Sequence, residues 1–74
     1  MQKRIEIKTF TVLREFETSQ VEVFIANLYL NGTLQITLES EDLDILNSFI
    51  GEEVGKILRR AFEYSEEVLV IYKK

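Results

Sequence analysis

Leu28-Tyr29-Leu30-Asn31-Gly32-Thr33-Leu34-Gln35-Ile36 decides the fold of this 74-residue chain. Asn31-Gly32 is a pair that tolerates positive φ, the conformation demanded by the tight turns that join antiparallel strands. Apolar residues alternate on both sides of it, so the stretch reads as a β-hairpin. Directly opposed residues share a face, and this separates two possible hairpins. A two-residue loop would set Leu34, Ile36 and Leu38 beside Tyr29, Asn27 and Ile25, which aligns Asn27 with the core. A three-residue loop, Leu30-Asn31-Gly32 with Gly32 as a left-handed bulge, opposes Leu28 to Leu34, Ala26 to Ile36 and Phe24 to Leu38. The expectation is the three-residue loop.

Toward the N-terminus, Val21 to Leu30 is apolar on both parities around Val23-Phe24-Ile25-Ala26, which places this strand inside the sheet. Glu17-Thr18-Ser19-Gln20 reads as a turn. Lys3 to Phe16 favours strand, with Ile5 and Ile7 on one parity and Phe10, Val12 and Phe16 on the other. A bulge near Lys8 to Phe10 would return both sets to one face. Toward the C-terminus, Ser40 is the expected helix cap, followed by Glu41 and Asp42 at the positive end of the helix dipole. Leu43, Leu46, Ile50, Val54, Ile57 and Ala61 then recur at spacings of three and four, with Leu58 and Phe62 widening the stripe. The stripe runs through Gly51 and Gly55, compatible with one long helix or with two. A break or kink near Gly51 is expected, because Ile45 and Phe49 would lie on the outer face of a straight helix. Val68 to Tyr72 is an apolar run bracketed by charge, hence a final strand.

The whole, residues 1–74, is expected to be a single α+β domain. Its two layers are a four-stranded, mostly antiparallel sheet in the order β-β-β-α-(α)-β and a helix or kinked helix pair on one face. The helix count controls the charges. One helix would put Lys3-Arg4 and Lys73-Lys74 at opposite ends of the sheet, whereas a helical hairpin would bring them to one end as an anion site.

The net charge is −4, and no cysteine, histidine, proline or tryptophan occurs. Without cysteine there is no disulfide framework or thiolate metal site, and a reducing, cytoplasmic setting is expected. No apolar stretch has the length of a signal peptide or membrane helix, so no membrane association is expected. Eleven of the thirteen acidic residues are glutamate, and amides are few, a bias associated with hyperthermophile proteins and thermostability. In composition the chain resembles small uncharacterised proteins of hyperthermophilic archaea. That resemblance carries no motif and implies no site.

Enzyme chemistry is not expected. The commonest general acid/base and the most reactive nucleophile are missing, and Ser19, Ser40, Ser48 and Ser65 have no histidine to activate them. Glu39, Glu41, Asp42 and Asp44 lack the spacing of an EF-hand loop and read as a decorated helix start, not a metal site. Gly51-x-x-x-Gly55 has no following lysine-serine pair, so it is not a phosphate loop. Lys56, Arg59 and Arg60 form a short basic patch that favourable pairs, Glu52 with Lys56 and Arg59 with Glu63, would neutralise. The eight aromatics lack the interleaved basic residues of a ribonucleoprotein surface. No catalytic residue, cofactor or metal is assigned.

Alternate strand residues point to opposite faces, and one helical layer covers one face. Val21, Val23, Ile25, Val68, Val70 and Tyr72 are therefore assigned to an uncovered second face, and the expected partner is a second copy or another protein. The alternative is a small nucleic-acid-binding or regulatory protein using Lys3, Arg4, Arg59, Arg60, Lys73 and Lys74, a role that the negative net charge disfavours.

Overall fold

The computed structural model describes residues 2–74. Strands β1 (Lys3–Phe16), β2 (Ser19–Leu30) and β3 (Thr33–Ser40) form an antiparallel meander, α1 (Leu43–Glu63) crosses the sheet, and β4 (Val68–Lys73) returns beside β1. The sheet order is β3-β2-β1-β4, with β4 parallel to β1 and the other pairings antiparallel. The α+β architecture is as expected, with one helix instead of a pair.

The core lies between α1 and one sheet face. Ile5 and Ile7 of β1 and Ala26 and Leu28 of β2 meet Leu46, Ile50 and Val54 of α1, all nearly inaccessible to solvent. Phe24, Leu30, Ile36, Leu38 and Ile57 surround this cluster, half-buried. Helix α1 runs unbroken through Gly51 and Gly55, and Ile45 and Phe49 lie exposed along it. The expected break near Gly51 is absent because the stripe Leu46, Ile50, Val54, Ala61 keeps one straight face on the sheet. That burial outweighs two glycines costing about 1 kcal/mol each. The N-cap is Asp42, not Ser40: the Asp42 carboxylate accepts from the amides of Asp44 (2.8 Å) and Ile45 (3.2 Å). Ser40 acts one step earlier, its hydroxyl accepting from the Asp42 amide at 3.0 Å. At the other end Ser65 adopts φ 52°, and the Glu66 amide donates to the Ala61 carbonyl at 2.9 Å, closing the last turn as left-handed caps do.

The β2–β3 hairpin corrects the loop length but keeps the parity. Asn31 (φ 51°) and Gly32 (φ 85°) form a two-residue turn with Leu30 opposite Thr33 and Tyr29 opposite Leu34. A register shift follows, so that Leu28 opposes Ile36 and Ala26 opposes Leu38. The bulge at Gln35 does what the three-residue loop was invoked to do: Asn27 turns away from the core, opposite Thr37, whose hydroxyl donates to the Asn27 side-chain Oδ1 at 2.7 Å. The turn is also anchored to β1. The Asn31 side-chain carbonyl accepts from the Arg4 amide at 2.9 Å, and the Asn31 amide donates to the Arg4 carbonyl at 2.8 Å.

No bulge interrupts β1, which pairs with β2 continuously from Ile5–Leu30 to Phe16–Ser19 around a two-residue Glu17-Thr18 turn. The reason is that β1 outruns its neighbours. Strand β4 ends its pairing at Lys8, and β3 ends its pairing at Phe24. Residues 12–23 therefore project as a two-stranded arm, roughly 17 Å long at strand rise, while residues 9–11 still lie beside β2 and β3 in the three-stranded part of the sheet. No core sits there to select one parity, so no bulge is needed.

Candidate functional site

Parity within the sheet places each candidate residue. On the face away from α1, β2 contributes Val21, Val23 and Ile25, and β1 contributes Arg14, Val12 and Phe10 opposite them, with Phe16 opposite Ser19. Val23 and Ile25 are not open as expected: they are only 4% and 8% exposed. Val12 stands opposite Val23 and Phe10 opposite Ile25. The Arg14 guanidinium meets the Glu39 carboxylate of β3 through two bonds of 2.7 and 3.3 Å. Because β2 lies between those strands, this ion pair reaches across the row of Val21, Val23 and Ile25. Hydrogen bonding to Glu39, and then its charge, holds the Arg14 pKa above its ordinary value.

Val68, Val70 and Tyr72 are also reassigned. Their partners are Lys3, Ile5 and Ile7, so they share the helix side of the sheet; Val68 and Val70 pack against the core, and Tyr72 is exposed toward the edge. The parallel pairing of β4 with β1 sets this parity. On the sheet, the apolar side chains open to water are instead Leu13 (64% exposed) and Phe16 (55%) on the arm, Phe10 (47%) at its base, and Leu34 and Leu69 elsewhere; Leu58 and Phe62 are open on α1. Strand length was the signal for the arm: β1 and β2 have 14 and 12 residues against 8 and 6 in β3 and β4.

The six basic candidates are dispersed. With a single helix, Lys3 pairs opposite Val68 at the start of β4, while Lys73 lies opposite Lys8, five residues or roughly 17 Å farther along the strands. Arg4 and Lys73 both bind Glu6, at 2.8 and 3.4 Å. Arg59 donates to the Gly55 carbonyl at 3.4 Å and lies beside Leu58 and Phe62. Lys74 lies near Thr9, Phe10 and Thr11. The anion site expected where the two basic pairs meet does not form.

Lys3 and Arg60, however, come together. They line a cleft of roughly 560 Å³ between α1 and the ends of β1, β2 and β3, with Lys56 on its wall and Leu30, Ile36 and Ile57 on its floor. Lys3 pairs with Glu66 at 3.3 Å, and Lys56 pairs with Glu53 at 3.2 Å, not with Glu52. Among the described residues Arg60 has no carboxylate partner.

Two of the four acids at the helix start are engaged in structure, Asp42 as the cap and Glu39 with Arg14. No group of three or more acidic side chains converges as a metal-ligand set among the described residues, and no described helix is long and apolar enough to cross a membrane. Comparison with family models, curated proteins and solved structures returned no match.

Proposed function

We propose that this chain is a non-enzymatic protein-interaction module that self-associates, with the β1–β2 arm as its contact surface and a second copy as its partner. The observation that carries this reading is the excess of surface. The chain exposes 5570 Å², whereas a compact monomer of this mass exposes about 4,700 Å². The radius of gyration is 14.5 Å against about 11 Å for a compact chain of the same length. The excess area is close to the ~800 Å² that each partner contributes to a standard protein interface. Part of it lies on the arm, where Leu13 and Phe16, with Phe10 at the base, are exposed on two strands that no third strand flanks, an arrangement of marginal stability in water; α1 exposes Ile45, Phe49, Leu58 and Phe62 as well.

The missing histidine and cysteine support a role without catalysis, and the lack of cysteine supports a cytoplasmic setting. A nucleic-acid role draws less support, since Arg4 and Lys73 are occupied by Glu6 and the remaining cations do not form one track.

Sedimentation equilibrium at micromolar concentration tests the proposal. The expected mass is about twice 8.7 kDa, and the double substitution Phe10→Glu, Phe16→Glu is expected to return the monomer mass with an unchanged far-ultraviolet circular dichroism spectrum. A wild-type chain that stays monomeric throughout that concentration range overturns it.

A further inference from the structure

We infer that the cleft at the far end of the sheet from the arm is a binding site for a small amphipathic anion, a single carboxylate or phosphate head on a linear apolar tail. Three observations converge on this ligand class. The cleft has roughly 560 Å³, within the range of small-molecule sites. Its floor is apolar and incompletely covered: Leu30, Ile36 and Ile57 pack against the core on one side and remain half-exposed on the other. Its walls carry cations from two elements, Lys3 of β1 and Lys56 and Arg60 of α1, in a chain whose net charge is −4.

The charge balance within the cleft singles out Arg60. Glu66 answers Lys3 and Glu53 answers Lys56, so one positive charge is left over. Arg60 presents a planar fork of N–H donors, the geometry that takes both oxygens of a carboxylate or phosphate. A head held there leaves a linear tail to run over Ile57, Ile36 and Leu30, so that an anion without a tail, or a tail without an anion, uses half the site. The cleft shares no residue with the arm, and binding here stands or falls separately from self-association.

The test is a ¹⁵N–¹H correlation titration of the full chain with octanoate and with octyl phosphate, each below its micellar concentration, and with 1-octanol as the neutral counterpart. Amide shifts are expected at Lys3, Gln35, Ile36, Ile57 and Arg60, with at least about tenfold weaker binding of 1-octanol, as expected for a lost charge-assisted hydrogen bond. The stronger of the two anions identifies the head. Arg60→Gln is expected to weaken anion binding by about tenfold, while Arg59→Gln, which removes the same charge from the neighbouring position outside the cleft, leaves the midpoint unchanged. Equal binding of 1-octanol, equal losses in the two arginine variants, or shifts confined to the arm would each overturn the assignment.

Discussion

The helix-covered half of the sheet and the projecting arm are built from the same two strands, in one continuous register, and they differ in almost every physical respect. In the covered half, Ile5 and Ile7 face Leu28 and Leu30 beneath α1 and are sealed from water. A few residues farther along β1, Leu13 stands on the same parity opposite Glu22 and is 64% exposed. An apolar residue at the correct strand parity is a core residue only where a second layer exists to meet it. Along β1 that layer reaches as far as Thr9 and Thr11, which border a pocket shared with Leu43 and Leu46 of α1, and stops short of Leu13.

The largest effect that separates the two halves is a pair of truncations on one strand. Ile7→Ala removes a fully buried side chain from the centre of the core and should cost about 2–5 kcal/mol, a large share of the ~4–11 kcal/mol available to a domain of this size. Leu13→Ala, on the exposed arm, should change stability by less than ~1 kcal/mol. Urea denaturation at low protein concentration reads both. Comparable losses would mean that the arm carries a packing layer of its own within one subunit, and the contrast between the halves would break.

A smaller effect sharpens the same contrast through local opening. Amides of the covered half are expected to exchange with solvent only through global unfolding, while those of residues 12–23 should open far more readily in a dilute sample. If the arm is where two copies meet, raising the protein concentration should slow exchange in the arm by the ratio of dimer to monomer and leave the covered half unchanged. Concentration-independent protection along the whole of β1 would argue that the arm is stable unaided.

Much of this architecture was legible in the residues, and the failures share a cause. The hairpin at Asn31-Gly32, the start of a helix at the acidic cluster and a final strand over residues 68–72 follow from turn chemistry and periodicity, which act locally; the place of that strand at a sheet edge, with no fully buried residue, does not. The Gln35 bulge, the straight path of α1 and the side to which Val68, Val70 and Tyr72 point depend on which element lies over which. Parity at Asn27 signalled that an extra residue was needed but could not distinguish a longer loop from a bulge, since both rotate the same side chains out of the core. The cleft was hidden for a related reason: Lys3 and Arg60 are 57 positions apart and meet because a single helix leads back to the end of the sheet where β1 begins. Arg4, next to Lys3 in sequence, points to the opposite face and into a different ion pair.

The smallest expected effect bears on which surface a second copy would use. Gly51 and Gly55 lie within α1, and an added Cβ at either position meets nothing within 4 Å. Neither glycine is therefore retained for packing inside the subunit. Each Gly→Ala change should raise stability by up to ~1 kcal/mol through helix propensity, or up to about 4–8 °C in melting temperature for a domain of this size. With the arm as the contact, both substitutions should leave the self-association constant where it was. If stability rises while association weakens, the open space beside these glycines admits the backbone of another copy. The helix, not the arm, would then be the surface on which the two copies meet.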